Sequence, residues 1–435
     1  MKYYSTNGKA PLASLADAVR NGLAPDGGLY LPEHLGRMPR AFFDNTSEMT
    51  FREMSFAVAY MLFGEDVPPN DLKSILADTL NFEVPLVSVC DNIFSLELFH
   101  GPTLAFKDFG ARFLARLMSY FHTAAYDGSL LNVLVATSGD SGGAVANGFY
   151  GVPGVRVLVL YPSGKLSALQ ESQFATLGEN IVALEIDGNF DDCQMLVKQA
   201  LMDDSLKAKV MLTSANSINV GRLLPQMFYY FSAYSQLQRC GMADKRMVVA
   251  VPSGNLGNLT AGVFAKMAGL PVSRFYVANN SNDVMCHYLS TGLFSPKQAV
   301  DTIASAMDVG NPSNFSRILA LYHGDYARIS SDMCGVAYPD ERIADTILNV
   351  YHSNHYLLDP HGATAYRALA ENLKPGEVGV MLETAHPSKF KTAVERVIGE
   401  KIEVPSRLSV FLGGEKRSIG LPSSYELFKR FLLSI

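Results

Sequence analysis

Lys107 stands in the run His100-Gly-Pro-Thr-Leu-Ala-Phe-Lys-Asp-Phe109, between two phenylalanines and directly before an acid. Asp108 is suited to cap a helix running to about His122, on which Phe109, Phe113, Leu117 and Phe121 recur at i, i+4. An amine among aromatic rings at such a place is open to desolvation, which lowers its pKa and makes it a nucleophile toward an aldehyde. Lysine is also a common solvated cation at a helix start, so local context alone leaves both readings open.

Three small-residue loops offer anion sites. Ser253-Gly-Asn-Leu-Gly-Asn258 lies between an apolar run and a helical stretch. There backbone N–H groups can converge on an anion at a helix N-terminus, where the dipole favours negative charge. A plain glycine-rich β-α turn is the other reading. Neither G-x-x-x-x-G-K-[ST] nor G-x-G-x-x-G occurs, which disfavours nucleotide binding of those kinds. Asn216-Ser-Ile-Asn-Val-Gly-Arg222 can fork Arg222 onto a phosphate with Asn216 and Ser217 donating beside it; a surface arginine is the alternative.

Thr137-Ser-Gly-Asp-Ser-Gly-Gly143 supplies hydroxyls and N–H groups that suit a carboxylate. Its Gly139-Asp-Ser-Gly-Gly143 core also matches a trypsin-like motif and the nucleophile elbow of α/β-hydrolases. The trypsin reading needs an all-β, disulfide-bearing chain. The elbow reading makes a serine hydrolase of Ser141, with Asp359 and His361 or His386 completing the order. His352, His355 and His361 are spaced as metal ligands can be, but no carboxylate completes a known motif, and no catalytic metal is expected.

A chain of 435 residues must build more than one domain to position these loops. Its 48% hydrophobic and 18% charged residues are those of a globular protein with large cores. The net charge of -6 and the lack of a basic run oppose capture of nucleic acid. No apolar run is long enough to span a bilayer, and Met1–Asn7 lacks the apolar core of a signal peptide. Cys90, Cys193, Cys240, Cys286 and Cys334 are odd in number and scattered, which fits a reducing cytoplasmic compartment.

Residues 1–90 read as irregular, with helices near 50–63 and 70–80. Apolar runs at Leu131–Ala136, Val155–Tyr161, Ile181–Ile186 and Val210–Thr213 alternate with helical stretches at Lys165–Leu177 and 190–203. A second block holds a strand at Arg246–Val251, a turn at Ser253–Asn258, a helix at Leu259–Ala268 and a strand at Phe275–Ala278. The segment 281–345 reads as an insertion of helices and loops. Such alternation predicts two parallel-sheet α/β domains around a cleft, with ligands at the C-terminal strand ends. The expected division is an N-terminal domain over 1–92, a large domain over 93–110 and 226–435, and a smaller domain over 111–225.

Taken in order, these stretches resemble the threonine synthase family of the pyridoxal-phosphate fold type II group. Tyr4-Ser-Thr…Gly27-Gly-Leu-Tyr-Leu-Pro32, the Lys107 run, Asn311-Pro-Ser-Asn-Phe-Ser-Arg317 and Glu383-Thr-Ala-His-Pro-Ser-Lys-Phe390 extend the likeness over nearly the whole chain. The resemblance implies pyridoxal 5'-phosphate as cofactor, with Lys107 as its Schiff-base lysine and proton carrier. It implies that Gly254, Asn255, Leu256, Gly257 and Asn258 hold the cofactor phosphate and that Thr384 faces the pyridine nitrogen. Thr137, Ser138, Asp140 and Ser141 would line the substrate carboxylate and the cofactor hydroxyl. Asn216, Ser217 and Arg222 would grip a substrate phosphate, with Asn314 and Arg317 as neighbours.

The implied reaction converts O-phospho-L-homoserine and water to L-threonine and phosphate, in a monomer or homodimer. A dehydratase or β-replacement synthase of the same group is the nearest alternative. Three departures from the family's usual pattern stand out: Ser141 and Gly362 where it has Thr, and Leu256 where Phe is common.

Overall fold

The computed structural model describes residues 1–124 and 130–435. Its strands, in chain order, are β1 (Lys2–Ser5), β2 (Ala13–Ser14), β3 (Tyr30–Pro32), β4 (Leu86–Cys90), β5 (Ile93–Glu97), β6 (Leu131–Ala136), β7 (Val155–Pro162), β8 (Ile181–Asp187), β9 (Met211–Ser214), β10 (Arg246–Pro252), β11 (Val272–Asn279), β12 (Met333–Ala337), β13 (Glu377–Glu383) and β14 (Ser418–Pro422).

They form three sheets. A small antiparallel sheet runs β2-β1-β3, a six-stranded sheet runs β12-β11-β10-β13-β5-β4, and a five-stranded sheet runs β14-β8-β7-β6-β9. The five-stranded sheet is wholly parallel, and the six-stranded one is parallel except for β4 against β5. The expected α/β class with two parallel sheets is therefore what the chain adopts.

Both large sheets are covered on both faces, as parallel sheets must be. Successive strand residues accordingly enter different cores. Val133, Val135, Val157 and Val159 of the five-stranded sheet and Val249, Val251, Val378 and Val380 of the six-stranded one share one central core. Their alternates diverge: Leu134, Leu158 and Leu160 pack outward beneath helices Phe190–Met202 and Tyr425–Leu432, and Val248, Ala250 and Met381 pack on the opposite face of the larger sheet. The helix Lys107–Ala124 runs through the central core, with Phe109, Phe113 and Leu117 fully buried and Phe121 partly so.

Several expectations need correction. Residues 281–345 contain a strand, β12, which extends the six-stranded sheet beside β11. β4 lies within the region assigned to the N-terminal domain, yet it pairs with β5 in that same sheet. β14 and helix Tyr425–Leu432, assigned to the large domain, return to the five-stranded sheet and its outer helix. Two helix starts also moved. The helix expected over Lys165–Leu177 spans Ala168–Ala175, because Ser167 and Gln170 form a capping box there. The helix after β10 starts at Gly257, inside the segment expected to be turn. Asp108 does not cap its helix from outside; it lies in the first turn and reaches back to Thr103.

Candidate active site

The C-terminal ends of β6, β10 and β13 converge on a cavity of about 350 Å³ lined by Lys107, Arg222, Thr384, and the loops at 137–141 and 254–258. Lys107 enters it from a loop fixed on two sides. The Phe106 N–H donates to the Thr384 carbonyl at 2.9 Å and the His386 N–H to the Leu104 carbonyl at 3.0 Å. Within the loop, the Thr103 N–H and hydroxyl both donate to the Asp108 carboxylate, at 2.9 and 2.7 Å. The Lys107 Nζ sits 5.9 Å from the Phe106 ring centre. Burial brings the Lys107 amine down to about 8; Asp140 opposes that shift, while Arg222 and Lys389 reinforce it. This is the perturbation that makes an amine nucleophilic near neutral pH.

Across the cavity, Leu256 adopts a left-handed φ of 59° and caps the helix Gly257–Met267. The bend leaves the amides of the 254–258 loop at the helix N-terminus, where a phosphate is favoured. Gly254 permits the loop's close approach, since a Cβ there would lie 2.8 Å from Met307 Cα. Asn255 is spent internally: its Nδ2 donates to Ser217 Oγ at 2.9 Å, and its Oδ1 accepts from Ser313 N–H at 2.6 Å and hydroxyl at 2.8 Å. Asn258 is different. Its Oδ1 accepts from the Tyr229 and Tyr230 hydroxyls at 2.7 and 2.8 Å, while its buried Nδ2 has no partner in the protein. An orphaned donor at a helix N-terminus, beside a loop that the close approach of Gly254 makes possible, fits a phosphate group.

Arg222 is 4% exposed, forms no salt bridge among the described residues, and donates from Nη1 to the Ala215 carbonyl. Burial lowers its pKa to about 10, against the attraction of Asp108. A guanidinium so placed has donors left for an anion in the cavity. Ser217 is similar on a smaller scale: its oxygen accepts from Asn255 and Asn314, which leaves its O–H to donate.

Other expected site residues are placed differently. Asn216 faces the cavity, but its amide completes the sheet by bonding both backbone groups of Ala136, at 3.2 and 2.9 Å. Thr137 spends its hydroxyl on its own loop, donating to the Gly139 carbonyl and accepting from the Gly139 and Gly142 amides. Ser138 and Ser141 do line the cavity.

Asp140, Asn314 and Arg317 do not line it. Asp140 is buried 2.9 Å from Lys389; burial raises its pKa, yet Lys389 and Lys107 hold it down at about 2. Arg317 is fully buried and commits four of its five N–H donors to the carbonyls of Tyr30, Ser217 and Ile218 and the Asn314 side chain, so it braces the site. Asn314 in turn donates to Ser217 and to the Asn255 carbonyl.

The hydrolase alternative lacks a base from either histidine: His386 does not line the cavity, and its Nδ1 accepts from the Ser388 N–H, while His361 is already spent. The His361 Nδ1 lies 3.2 Å from Asp359, which fixes that nitrogen as the protonated one, and its Nε2 accepts from the Ala306 N–H at 3.1 Å. No lone pair is left to activate Ser141.

Sequence reasoning missed a second wall of the cavity, formed by 297–299 and 305–311 and faced by Phe190, Asp191 and Gln194. Much of it is loop backbone, which carries no residue-type signal; Asn311-Pro-Ser-Asn at its end is the only hint in the sequence.

An amine suited to an aldehyde and, across one cavity, a cradle suited to a phosphate are complementary to a single molecule, pyridoxal phosphate. Two largely parallel sheets whose strand ends meet at this cavity, with the neutral hydroxyl of Thr384 on its wall, define a pyridoxal-phosphate-dependent enzyme of fold type II. Comparison with known proteins agrees. A family described as pyridoxal-phosphate dependent enzyme matches residues 86–384, and threonine synthase N- and C-terminal families match 2–80 and 361–432.

The chain is 42% identical to threonine synthase of Serratia marcescens over 435 residues and 41% to that of Escherichia coli K12 over 434, covering all of both chains in each case. It superposes on the crystal structure of the Escherichia coli threonine synthase with a TM-score of 0.93, covering both chains fully. For the pyridoxal-phosphate-bound threonine synthase of Brucella melitensis the TM-score is 0.92 at 33% identity, covering 100% and 99%. The chain belongs to the threonine synthase family of pyridoxal-phosphate-dependent lyases.

Proposed function

We propose that the cavity takes O-phospho-L-homoserine and that one buried group, Arg222, recognises its phosphate. Arg222 is a buried cation that forms no salt bridge among the described residues, and it has donors to spare. A site with two anion-seeking elements suits a phosphorylated substrate beside a phosphorylated cofactor, which is the observation that carries this reading. The O–H of Ser217 donates beside Arg222, and Ser138 and Ser141 face the substrate's carboxylate end.

When bound, pyridoxal phosphate supplies the electron sink that stabilises negative charge at the substrate carbons. Lys107 holds the cofactor's aldehyde at rest. Once displaced by the substrate amine, its Nζ removes the α-proton and then a β-proton, a task suited to an amine brought down to about 8. The amides of Gly254–Asn258 and the orphaned Asn258 Nδ2 hold the cofactor phosphate. Thr384 would offer the cofactor's pyridine nitrogen a neutral hydroxyl in place of a charged carboxylate. The wall at 305–311 keeps water from the reacting carbons until the phosphate has left.

No helix among the described residues is long and apolar enough to cross a membrane, and the five free cysteines support a reducing, cytoplasmic location.

The test is to offer the purified enzyme O-phospho-L-homoserine, phosphoserine and threonine, measuring phosphate and ammonia, and to map the peptide labelled by borohydride. Phosphate and threonine from the first substrate, with label on Lys107, are expected. Ammonia from threonine without phosphate release from the first would make the chain a dehydratase instead.

A further inference from the structure

Lys389 is a buried lysine to which neither the reaction nor the cofactor assigns a role. It is 4% exposed overall, with its side chain wholly enclosed. Its ammonium has three partners drawn from three parts of the fold. It donates to the Thr103 carbonyl at 2.7 Å, on the loop that leads into Lys107, and to Gln173 Oε1 at 3.2 Å, on a helix packed beside the five-stranded sheet. It lies 2.9 Å from Asp140 Oδ1, on the helix that follows β6, in a charge contact that is not an aligned hydrogen bond.

Thr103 is thereby clamped: its carbonyl is held by Lys389, and its N–H and hydroxyl by Asp108. Lys389 itself sits on the short helix Pro387–Phe390, just past β13 of the larger sheet. A buried lysine is costly unless paired, so this one ties the two sheets and the lysine loop to a single point.

We propose that Lys389 is a positioning residue for Lys107: it fixes the loop from which the catalytic lysine projects and, paired with Asp140, sets the charge that the Lys107 amine faces. The inference rests on Lys107 being the cofactor's lysine. Around that amine the charged groups are Asp140, Arg222 and Lys389, from three different elements, with Asp108 next to it on its own helix; the cavity is also lined by the His361 imidazole and the Thr384 hydroxyl. Lys389 and Arg222 lower the affinity of Lys107 for a proton, and Asp140 raises it. Asp140 is held ionised by Lys389 and, beside it, by Lys107 itself. The pair therefore acts as one neutral unit whose halves have opposite effects on Lys107.

The experiment uses the full-length apoprotein and the variants Lys389→Met, Asp140→Asn, Lys389→Arg and the Lys389→Met/Asp140→Asn double variant. The pH at which Lys107 is half-acylated by acetic anhydride is read by mass spectrometry of its peptide, and kcat and KM are measured on the loaded enzymes. Lys389→Met is expected to move the Lys107 midpoint up, and Asp140→Asn to move it down, each by about one pH unit. The double variant returns close to wild type, and Lys389→Arg stays there. In the loaded enzymes kcat changes and KM for substrate changes little.

Midpoints that move together in both single variants, or in neither, overturn the proposal, since a purely structural brace has no sign. Should Lys389→Met fail to fold, Asp140→Asn and Lys389→Arg decide it: an unmoved midpoint in the former, or one displaced in the latter, overturns it equally. Borohydride labelling of a different lysine in the wild type would instead refute the cofactor assignment of Lys107, a result that the midpoints do not influence.

Discussion

Replacing Arg222 by alanine is the sharpest test of substrate recognition. The guanidinium has five N–H donors, and among the described residues it is engaged only at the Ala215 carbonyl. A forked contact to phosphate uses two more, and a hydrogen bond to a charged group contributes about 1.5–3 kcal/mol. Truncating one partner of a buried charge pair costs about 2–5 kcal/mol, so about 4 kcal/mol is expected here. At ~1.4 kcal/mol per tenfold, kcat/KM should fall about 10³-fold.

The fold should not suffer, because removing a buried cation that forms no ion pair relieves desolvation. Cofactor content should also hold, since the 254–258 cradle is separate. Phosphate release from O-phospho-L-homoserine, measured over a range of substrate concentrations, reads the loss, and the cofactor's visible absorption reads loading. Arg222→Lys should recover part of it, keeping the charge without the fork. Kinetics near wild type in Arg222→Ala, or an enzyme that loses its cofactor along with its activity, would refute the reasoning.

Three other outcomes follow from the same geometry. Lys107 must be neutral to take a proton, and its pKa is lowered to about 8, so kcat should fall as pH drops through that value and level off above it; a flat profile from pH 6 to 9 would remove the lysine from the proton-transfer step. Gly362→Ala would put a methyl 1.6 Å from the Glu383 carboxyl oxygen and disturb its 2.6 Å bond to the Asp359 N–H, costing about 1–3 kcal/mol in urea denaturation; unchanged stability would mean that Glu383 has another place to go. Arg317→Met would strand three buried carbonyls and destabilise the fold by about 3 kcal/mol or more, whereas a stable but inactive variant would return Arg317 to the substrate site.

How much of this could be read from the sequence depended on where each element lies. β6, β7, β10 and β11 are interior parallel strands, buried on both faces, and such strands read as unbroken apolar runs. β4, β12 and β14 went unseen, and all three are edge strands whose residues are mostly half-exposed or exposed. β5 and β13 also went unseen although both are interior: β5 is only five residues long and broken by Ser95, and β13, buried throughout, carries Gly379 within it and Glu377 and Glu383 at its ends. The small-residue loops at 137–143 and 253–258 were legible because their chemistry lies in consecutive residues. Lys389 was not, since its bond to Thr103 spans 286 positions and no local pattern marks it.

Arg222 and Arg317 show why motif position could not settle roles. Both are buried, both lie in polar motifs near the cavity, and burial lowers both guanidinium pKa values, to about 10 and about 9. What separates them is the count of partners that the protein already provides. Arg317 has four of its five donors taken by carbonyls and Asn314, so a forked contact to a ligand would have to break bonds. Arg222 and the Asn258 Nδ2 are left short, which costs free energy in the empty protein that an arriving anion returns as affinity. Asn216, Asn255 and Thr137 fall on the saturated side despite facing the cavity. Incomplete hydrogen bonding, set by neighbours far away in the chain, therefore distinguishes the groups that bind from the groups that hold them in place.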